Sequence, residues 1–377
     1  MEALRILHTA DWHLGKGVWD ISLLCEQEAL LEQIVQQADE NDVHVVVVAG
    51  DVFDSPKPSF EAERLFAKAL LRLSAGGRRP VLVISGNHDS ARGLETFQNW
   101  GIPLGILLLG FVPNSLPNTL GDCQLIYYGE GLIELHHKHW AFPVRFLLSP
   151  HVPLSEYLLR NEEISPVKAL AQRWRAALAR PESKAPTILI AHLYVQFDTD
   201  RLDEDEADKI SAGGQVPPLP VDIFPSELSY VALGHIHRPY YKRRQDNLPI
   251  AYAGSLMQYS FGDKVSDKQT WLVEVDASGH VSGIKSLPLR VPRKLLRQRA
   301  STLEEAQQIL KAYRDDFIEL LWTGETTLSP LEHQDLRQLH DRFRIVPARE
   351  NTIQALAEIV SFAGQDLRLM LPRWFRE

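Results

Sequence analysis

The sequence predicts an α/β fold built on a largely parallel sheet, with a second sheet and a small α+β unit appended after it. Three observations carry this. Short apolar, β-branched runs alternate with amphipathic helices in the N-terminal part, five such runs each end in a polar cluster, and the pattern changes after Pro292. At 377 residues the chain exceeds one ordinary domain, and 45% hydrophobic against 24% charged residues describes a globular protein able to bury a core.

The five apolar runs are Leu4–Ala10, Val43–Ala49, Pro80–Ser85, Thr187–Ala191 and Tyr230–Leu233. They read as buried strands because they are short, continuous and bounded by Gly, Pro or polar residues. Between the first three lie two helices. Leu30, Leu31, Ile34, Val35 and Ala38 share a face of one, and Ala62, Leu65, Phe66, Ala69, Leu70 and Leu73 share a face of the other. Strand–helix–strand alternation implies crossovers and a parallel sheet. The middle, from Leu94 to Pro186, is broken by prolines and predicts further strands and a helix near Ser165–Leu178, while the acidic stretch Asp198–Asp208 reads as an exposed loop. Thr270–Val275 and His280–Ser286 alternate and are expected to be antiparallel strands closing a second sheet. Beyond Pro292 the expected order is strand Lys294–Arg299, helix Thr302–Tyr313, strand Phe317–Trp322, helix Pro330–Phe343 and strand Arg344–Pro347. Thr302 with Glu305 three residues on predicts a capping box.

Each of the five strands runs directly into a polar cluster: Asp11-Trp-His13, Gly50-Asp51, Gly86-Asn87-His88-Asp89, His192, and Gly234-His235-Ile-His237. Ligands of open α/β sheets gather beyond the carboxyl ends of strands, so the clusters are expected to converge. Asp11 and His13, two apart in extended chain, project from one face and can grip one ion; His235 and His237 repeat that spacing. Asp51 at a strand terminus suits a ligand bridging two cations. Imidazole and carboxylate ligation without thiolate favours Mn²⁺, Fe or Zn²⁺, with Mg²⁺ a further substitute. Two cations about 4 Å apart clamp a phosphoryl group and activate water, which is a hydrolase mechanism. His88 is placed as a general acid for the leaving alkoxide or to hold the phosphate, with Asp54 or Asp89 to orient it. Each cluster alone also has a bland reading as a turn, a surface strand end or a helix cap. Five in order, each at the end of an apolar strand, point to one metal site.

Other features point away from competing functions. The net charge of −9 argues against coating nucleic acid through bulk charge, although two local basic tracks stand out, Arg238–Arg244 and Arg290–Arg299. Lys242, Arg243 and Arg244 are the candidate DNA contacts. His136, His137 and His139 are expected to split across two faces at the surface. Leu14-Gly-Lys-Gly-Val18 lacks the leading glycine and trailing Ser/Thr of a phosphate-binding loop, and no other segment supplies one, so ATP hydrolysis is not expected of this chain. Cys25 and Cys123 are too few for a disulfide framework. With no signal-peptide pattern at Met1–Ala10 and no apolar stretch of membrane-spanning length, a cytoplasmic location is expected.

The ordered motifs Asp11-x-His13, Gly50-Asp51-x-x-Asp54, Gly86-Asn87-His88-Asp89, His192 and Gly234-His235-x-His237 resemble the calcineurin-like metallophosphoesterase superfamily. The flanking text, Leu7 to Gly15, Val48 to Asp54, Gly86 to Ser90 and Tyr230 to Pro239, is similar to the SbcD family of bacterial double-strand-break repair nucleases. Ala253-Gly-Ser255 and Ser260-Phe-Gly-Asp263 extend that likeness. It implies a four-layer sandwich of two mixed sheets flanked by helices over residues 1–291, an α+β capping domain that binds DNA over 292–348, and a tail, 349–377, in the place of a partner-docking segment. It also implies two Mn²⁺ ions per chain, with Asp51 bridging, Asp11, His13 and His237 on one, Asn87, His192 and His235 on the other, and His88 catalytic. The implied activity is ATP-dependent exonuclease and endonuclease action on DNA ends, hairpins and blocked ends. The implied assembly is a homodimer joined to an SbcC-type SMC-like ATPase, as a heterotetramer or larger complex, at the nucleoid. A phosphoesterase for small phosphodiesters or phosphoproteins is the alternative on the same scaffold. Leu256 stands where the family pattern has proline, and the tail is short for the family.

Overall fold

The structure, a computed structural model, describes residues 3–152, 166–182, 184–197, 218–263 and 266–347. The chain divides into two compact units, Met1–Pro292 and Arg293–Glu377.

In the first unit Leu4–Thr9, Val45–Ala49, Val81–Ile84 and Ile106–Leu109 lie side by side in that order and run parallel. Lys268–Val275 and Val281–Leu289 continue this sheet antiparallel beyond Leu4–Thr9, with Leu4 opposite Val275. That corrects the expectation that these two strands belong to a second sheet, since alternation along a strand reports its two faces and not its neighbour. The second sheet has eight strands, and its centre is again parallel: Val144–Ser149, Thr187–His192, Tyr230–Gly234 and Pro249–Tyr252. The five expected strands are therefore shared between two sheets, three in one and two in the other.

The core explains why the two sheets pack. Ile6, Val45, Val47, Leu82 and Ile84 of the first sheet meet Phe146, Leu148, Ile188, Ile190 and Tyr230 of the second in one buried cluster. Each such side chain, removed from water, contributes on the order of 1.5–3 kcal/mol. Val46 and Val48 alternate to the other face and are equally buried. The apolar stripes of helices Leu24–Glu40 and Phe60–Leu73 are buried as expected, and Ser59 starts the second helix by accepting from the Ala62 amide. Helix Pro166–Leu178 covers the outside of the second sheet, where Trp174 stacks on Phe224 at 5.7 Å. The result is four layers, helix–sheet–sheet–helix. His8 Nδ1 and the Tyr230 hydroxyl, 2.9 Å apart, tie the two sheets together through the interior.

The second unit is a three-stranded parallel sheet, Leu295–Ala300, Phe317–Trp322 and Phe343–Pro347, with helices Leu303–Ala312 and Pro330–Leu339. Ala306, Leu310, Ile318, Leu320, Leu336 and Phe343 form its core. Thr302 does cap the first helix through the Glu305 amide, but the Glu305 carboxylate reaches Ser301 rather than closing a box. The complete box is at the second helix, between Ser329 and Glu332. That helix ends at Leu339 because His340 is extended, with φ −154° and ψ 132°. The acidic stretch Asp198–Asp208 and the segment after Pro347 lie outside the described residues. Among the described residues no helix is long and apolar enough to cross a membrane.

Candidate metal centre

The parallel pairing of Leu4–Thr9 with Val45–Ala49 carries on past the strand ends. The amides of Asp11, His13 and Leu14 donate to the carbonyls of Gly50, Asp51 and Val52 at 3.0, 3.0 and 2.9 Å. Two polar loops are thus zipped side by side. Within them Asp11, His13 and Asp51 adopt φ of 51°, 45° and 48°, and His235 adopts 100°. Left-handed backbone at non-glycine residues costs on the order of 1–2 kcal/mol each and concentrates at functional sites. The expectation that Asp11 and His13 share a face through extended-chain alternation is therefore corrected: left-handed turns, not pleat, aim these side chains. Glycine is required beside them. A Cβ on Gly50 would stand 2.3 Å from His192 Nδ1, and one on Gly86 2.2 Å from Asp51 Oδ1.

All seven expected ligands come together where the carboxyl ends of the two sheets meet. His13 Nε2 and His237 Nε2 are 3.0 Å apart, and Asp51 Oδ2 lies 3.7 Å from the former. On the other side Asn87 Oδ1 is 2.9 Å from His192 Nε2 and 3.0 Å from His235 Nδ1, with Asp51 Oδ2 3.3 Å from His192 Nε2. Asp51 is common to both groups of side chains able to hold an ion, His13–Asp51–His88 and Asp11–Asp51–His192. Asp11 Oδ1 accepts the His235 amide at 2.9 Å and stands 3.7 Å from His192 Nδ1, which links the two sheets across the site. His192 Nδ1 also contacts the Ala49 carbonyl at 2.9 Å, so its Nε2 is the atom turned to Asn87 and Asp51.

Neither carboxylate orients His88. Its Nδ1 lies 3.0 Å from the main-chain oxygen of Asp54, and its amide donates to Asp51 Oδ1 at 2.8 Å. The Asp54 carboxylate turns instead to Lys16, at 2.7 Å, and faces His13 Nδ1 at 3.8 Å. At that distance the carboxylate stands on the side of the ring's second nitrogen but beyond hydrogen-bond reach. Asp89 is committed elsewhere. Its carboxylate accepts the amides of Gly86, Phe53 and Val52 at 2.8, 2.9 and 3.1 Å, pinning the Asn87 loop to the Asp51 loop.

The electrostatics show what the site lacks. Desolvation in the recess holds His13 well below the usual imidazole value, His235 at about 3 and His237 at about 4, so these rings are neutral with lone pairs to give. Burial pushes the Asp11 carboxyl up to about 8, and the adjacent Asp51 adds to that. Burial opposes ionisation of Asp51 as well, but His192, His13 and His88 hold it well below the carboxylate range. His192 in turn resists its own burial and rises to about 9 because Asp51 and Asp11 flank it. Burial thus works against the charge on Asp11 beside an ionised Asp51, and a divalent cation held here would supply positive charge to offset it. Asp11 Oδ2 is buried without a hydrogen-bond partner among the described residues, which agrees with a donor set fitted to metal.

The outer candidates fare differently. Arg244 is held to its own loop by Asp246 and by the carbonyls of Val221 and Phe224. Lys242 lies over the Phe197 ring at 5.7 Å, and Arg243 is exposed at the edge of the second sheet. His136 bonds Glu134, and His137 and His139 sit apart from the metal-binding side chains. Sequence reasoning missed Gln27 and Tyr259. Gln27 donates to the His13 carbonyl at 2.7 Å and to the Tyr259 hydroxyl at 3.1 Å, and accepts the Gly15 amide, while Tyr259 donates to the Trp12 carbonyl. The signal was present: Gln27 stands three and four residues before Leu30 and Leu31, a polar residue on the buried stripe. Lys268, also missed, donates to the His237 carbonyl at 2.8 Å.

The calcineurin-like phosphoesterase family matches residues 4–239. Over 349 residues the chain is 31% identical to the SbcD subunit of nuclease SbcCD from Bacillus subtilis (strain 168), spanning 90% of this chain and 84% of that protein. Over 317 residues it is 31% identical to the SbcD subunit of nuclease SbcCD from Rhodobacter capsulatus, spanning 82% and 75%. Fold and site together define a calcineurin-like metallophosphoesterase. Within that class the chain belongs to the SbcD family of nuclease subunits, metal-dependent hydrolases of phosphodiester bonds.

Proposed function

We propose that this chain is the two-metal nuclease subunit of a DNA-break processing complex, cutting duplex ends, hairpins and blocked ends with an SbcC-type SMC-like ATPase. The observation that carries the reading is the junction itself: six donor side chains from both sheets packed around a seventh, Asp51, in a chain 31% identical to an SbcD nuclease subunit over 90% of its length. Asp51 would be shared by two cations, preferably Mn²⁺; Asp11, through its unpaired Oδ2, would join His13 and His237 in holding one, and Asn87, His192 and His235 would hold the other. When bound, the ions supply Lewis-acid clamping of the phosphoryl oxygens and activation of the attacking water. His88 protonates the leaving oxygen. Its Nδ1 is committed to the Asp54 carbonyl, which leaves Nε2 to carry the transferred proton. Asp54 is a positioning residue, through its carbonyl on His88 and its carboxylate toward His13. The second unit and Arg243 contribute backbone contacts to DNA, ATP is hydrolysed by the partner, and the subunit acts as a homodimer at the nucleoid.

The test is a linear duplex incubated with the chain, Mn²⁺, the ATPase partner and ATP. Cleavage that is abolished by EDTA is expected. A complex that leaves duplex intact while the chain hydrolyses small phosphodiesters sinks the nuclease reading and favours the small-substrate phosphoesterase.

A further inference from the structure

Two aromatic rings outside the ligand set are carried by segments that adjoin the metal centre. Trp19 and Phe261 stack with centroids 5.3 Å apart and planes 15° from parallel, and both residues are partly exposed. Trp19 sits on a hairpin that leaves the site directly: Gly17–Val18 pairs with Ile21–Ser22, and the Lys16 amide donates to the His13 carbonyl at 3.0 Å. Phe261 follows Tyr259, whose ring is 5.5 Å from that of His13 and 6.4 Å from that of His237. The amides of Tyr259 and Ser260 both donate to Asp263 Oδ2, at 3.2 and 2.9 Å, which fixes this loop. Both segments that carry the pair thus run from the His13–His237 half of the site.

The backbone gives a second, independent reason to assign it a function. Trp19 and Asp20 are the two turn residues of the hairpin, and Trp19 has φ 58°. Two-residue hairpin turns put glycine or asparagine at such positions, because a side chain there costs on the order of 1–2 kcal/mol. A bulky, partly exposed indole is a poor residue for stability at this turn. Strain kept at a site next to chemistry points to use of the ring itself.

We infer that Trp19 and Phe261 form a stacking platform for an unpaired nucleobase flanking the scissile phosphodiester. This rests on the nuclease reading and adds how the substrate is gripped. A base offers a flat face whatever its identity, so the platform holds a frayed terminal or loop base without reading sequence, and each stacked base is worth about 1–3 kcal/mol.

The test uses the full chain loaded with Mn²⁺, together with its ATPase partner and ATP. In a His88→Ala background, which holds substrate without turnover, a blunt duplex carrying 2-aminopurine at the terminal position of each strand reports stacking as fluorescence quenching. Quenching is expected, and is expected to vanish when Trp19→Gly is added. With His88 present, Trp19→Gly should lower the ratio of kcat/KM for duplex to that for bis(p-nitrophenyl) phosphate about tenfold, while Trp19→Tyr recovers most of it. The urea midpoint of Trp19→Gly should rise or hold, because glycine relieves the turn. Persistent quenching or an unchanged ratio overturns the inference. So does a fall in urea midpoint with both substrates losing equally, which would make the indole a packing residue. Wild-type protein that hydrolyses the ester but neither binds nor cuts duplex overturns the nuclease reading instead.

Discussion

The two units use the same materials in opposite ways. Both contain parallel strands joined through amphipathic helices, and both bury continuous apolar cores. In the second unit local rules hold throughout the described residues. Its helices begin at Thr302 and Ser329 caps, no described residue has a left-handed φ, and His340 is its one buried polar side chain. In the first unit the rules break where the sheets meet, with left-handed Asp11, His13, Asp51 and His235, and buried Asp11, His13, Asp51 and His192 packed together. Those violations concentrate at strand ends bearing donor atoms and leave the strands themselves regular. Function in this molecule is marked by where a locally consistent fold stops being consistent.

The largest expected effect tests whether the broken region is chemistry or only strain. His88→Ala should lower kcat for duplex cleavage roughly 10²–10⁴-fold, the range for losing one general acid, while two Mn²⁺ per chain remain bound by elemental analysis. Retained turnover would remove the proton-transfer role. Asp89→Ala comes next, because it leaves three amides of two ligand loops without an acceptor. A loss of about 3 kcal/mol in urea unfolding is expected, accompanied by weaker Mn²⁺ binding in an isothermal titration. A protein equally stable and equally avid for Mn²⁺ would show that the loops are held by their zipped backbones alone.

Much of this contrast was legible before any coordinates. The five strands, the apolar stripes of both helices next to the site and all seven donors could be read because each depends on spacing along the chain. What could not be read depends on contacts across it. Lys268–Val275 alternates equally well whether it borders Leu4–Thr9 or a second sheet. Asp89 looks like a cap for the segment after Ser90, although Ser90 itself caps that helix through the Gly93 amide. Asp54 looks like a carboxylate partner for His88, but its main chain makes that bond. Trp19 left no trace, because a turn tryptophan is conspicuous only once its φ is known.

Acid should separate the regions through His8. Its ring is fully buried against Tyr230, and burial lowers its pKa from 6.5 to about 3. The unfolded chain therefore binds a proton between those values that the folded chain refuses, so stability is complete above about pH 6.5 and is lost as pH falls toward 3. At pH 5.5 linkage gives a loss of about 1.4 kcal/mol from this group. The metal-site histidines titrate too, so the informative quantity is the difference between wild type and His8→Gln in urea midpoint at pH 7.5 and 5.5. A difference that does not change with pH would mean that His8 takes up its proton in the folded state.

The smallest effect is expected where the rules are obeyed. Ser329 accepts the Glu332 amide, and the Glu332 carboxylate accepts the Ser329 amide and hydroxyl, so the helix Pro330–Leu339 starts with its first donors satisfied. Replacing Ser329 with Ala removes one half of that box and should cost about 1 kcal/mol, confined to unfolding of the second unit. Hydrogen exchange is the right measurement, because amides of the helix and of Phe317–Trp322 should exchange about fivefold faster while those of Val45–Ala49 keep their rates. Mn²⁺ affinity should not move. If the amides of both units accelerated together, the two would unfold as one cooperative body, and the separation between a rule-obeying unit and a rule-breaking one would be a division of sequence rather than of stability.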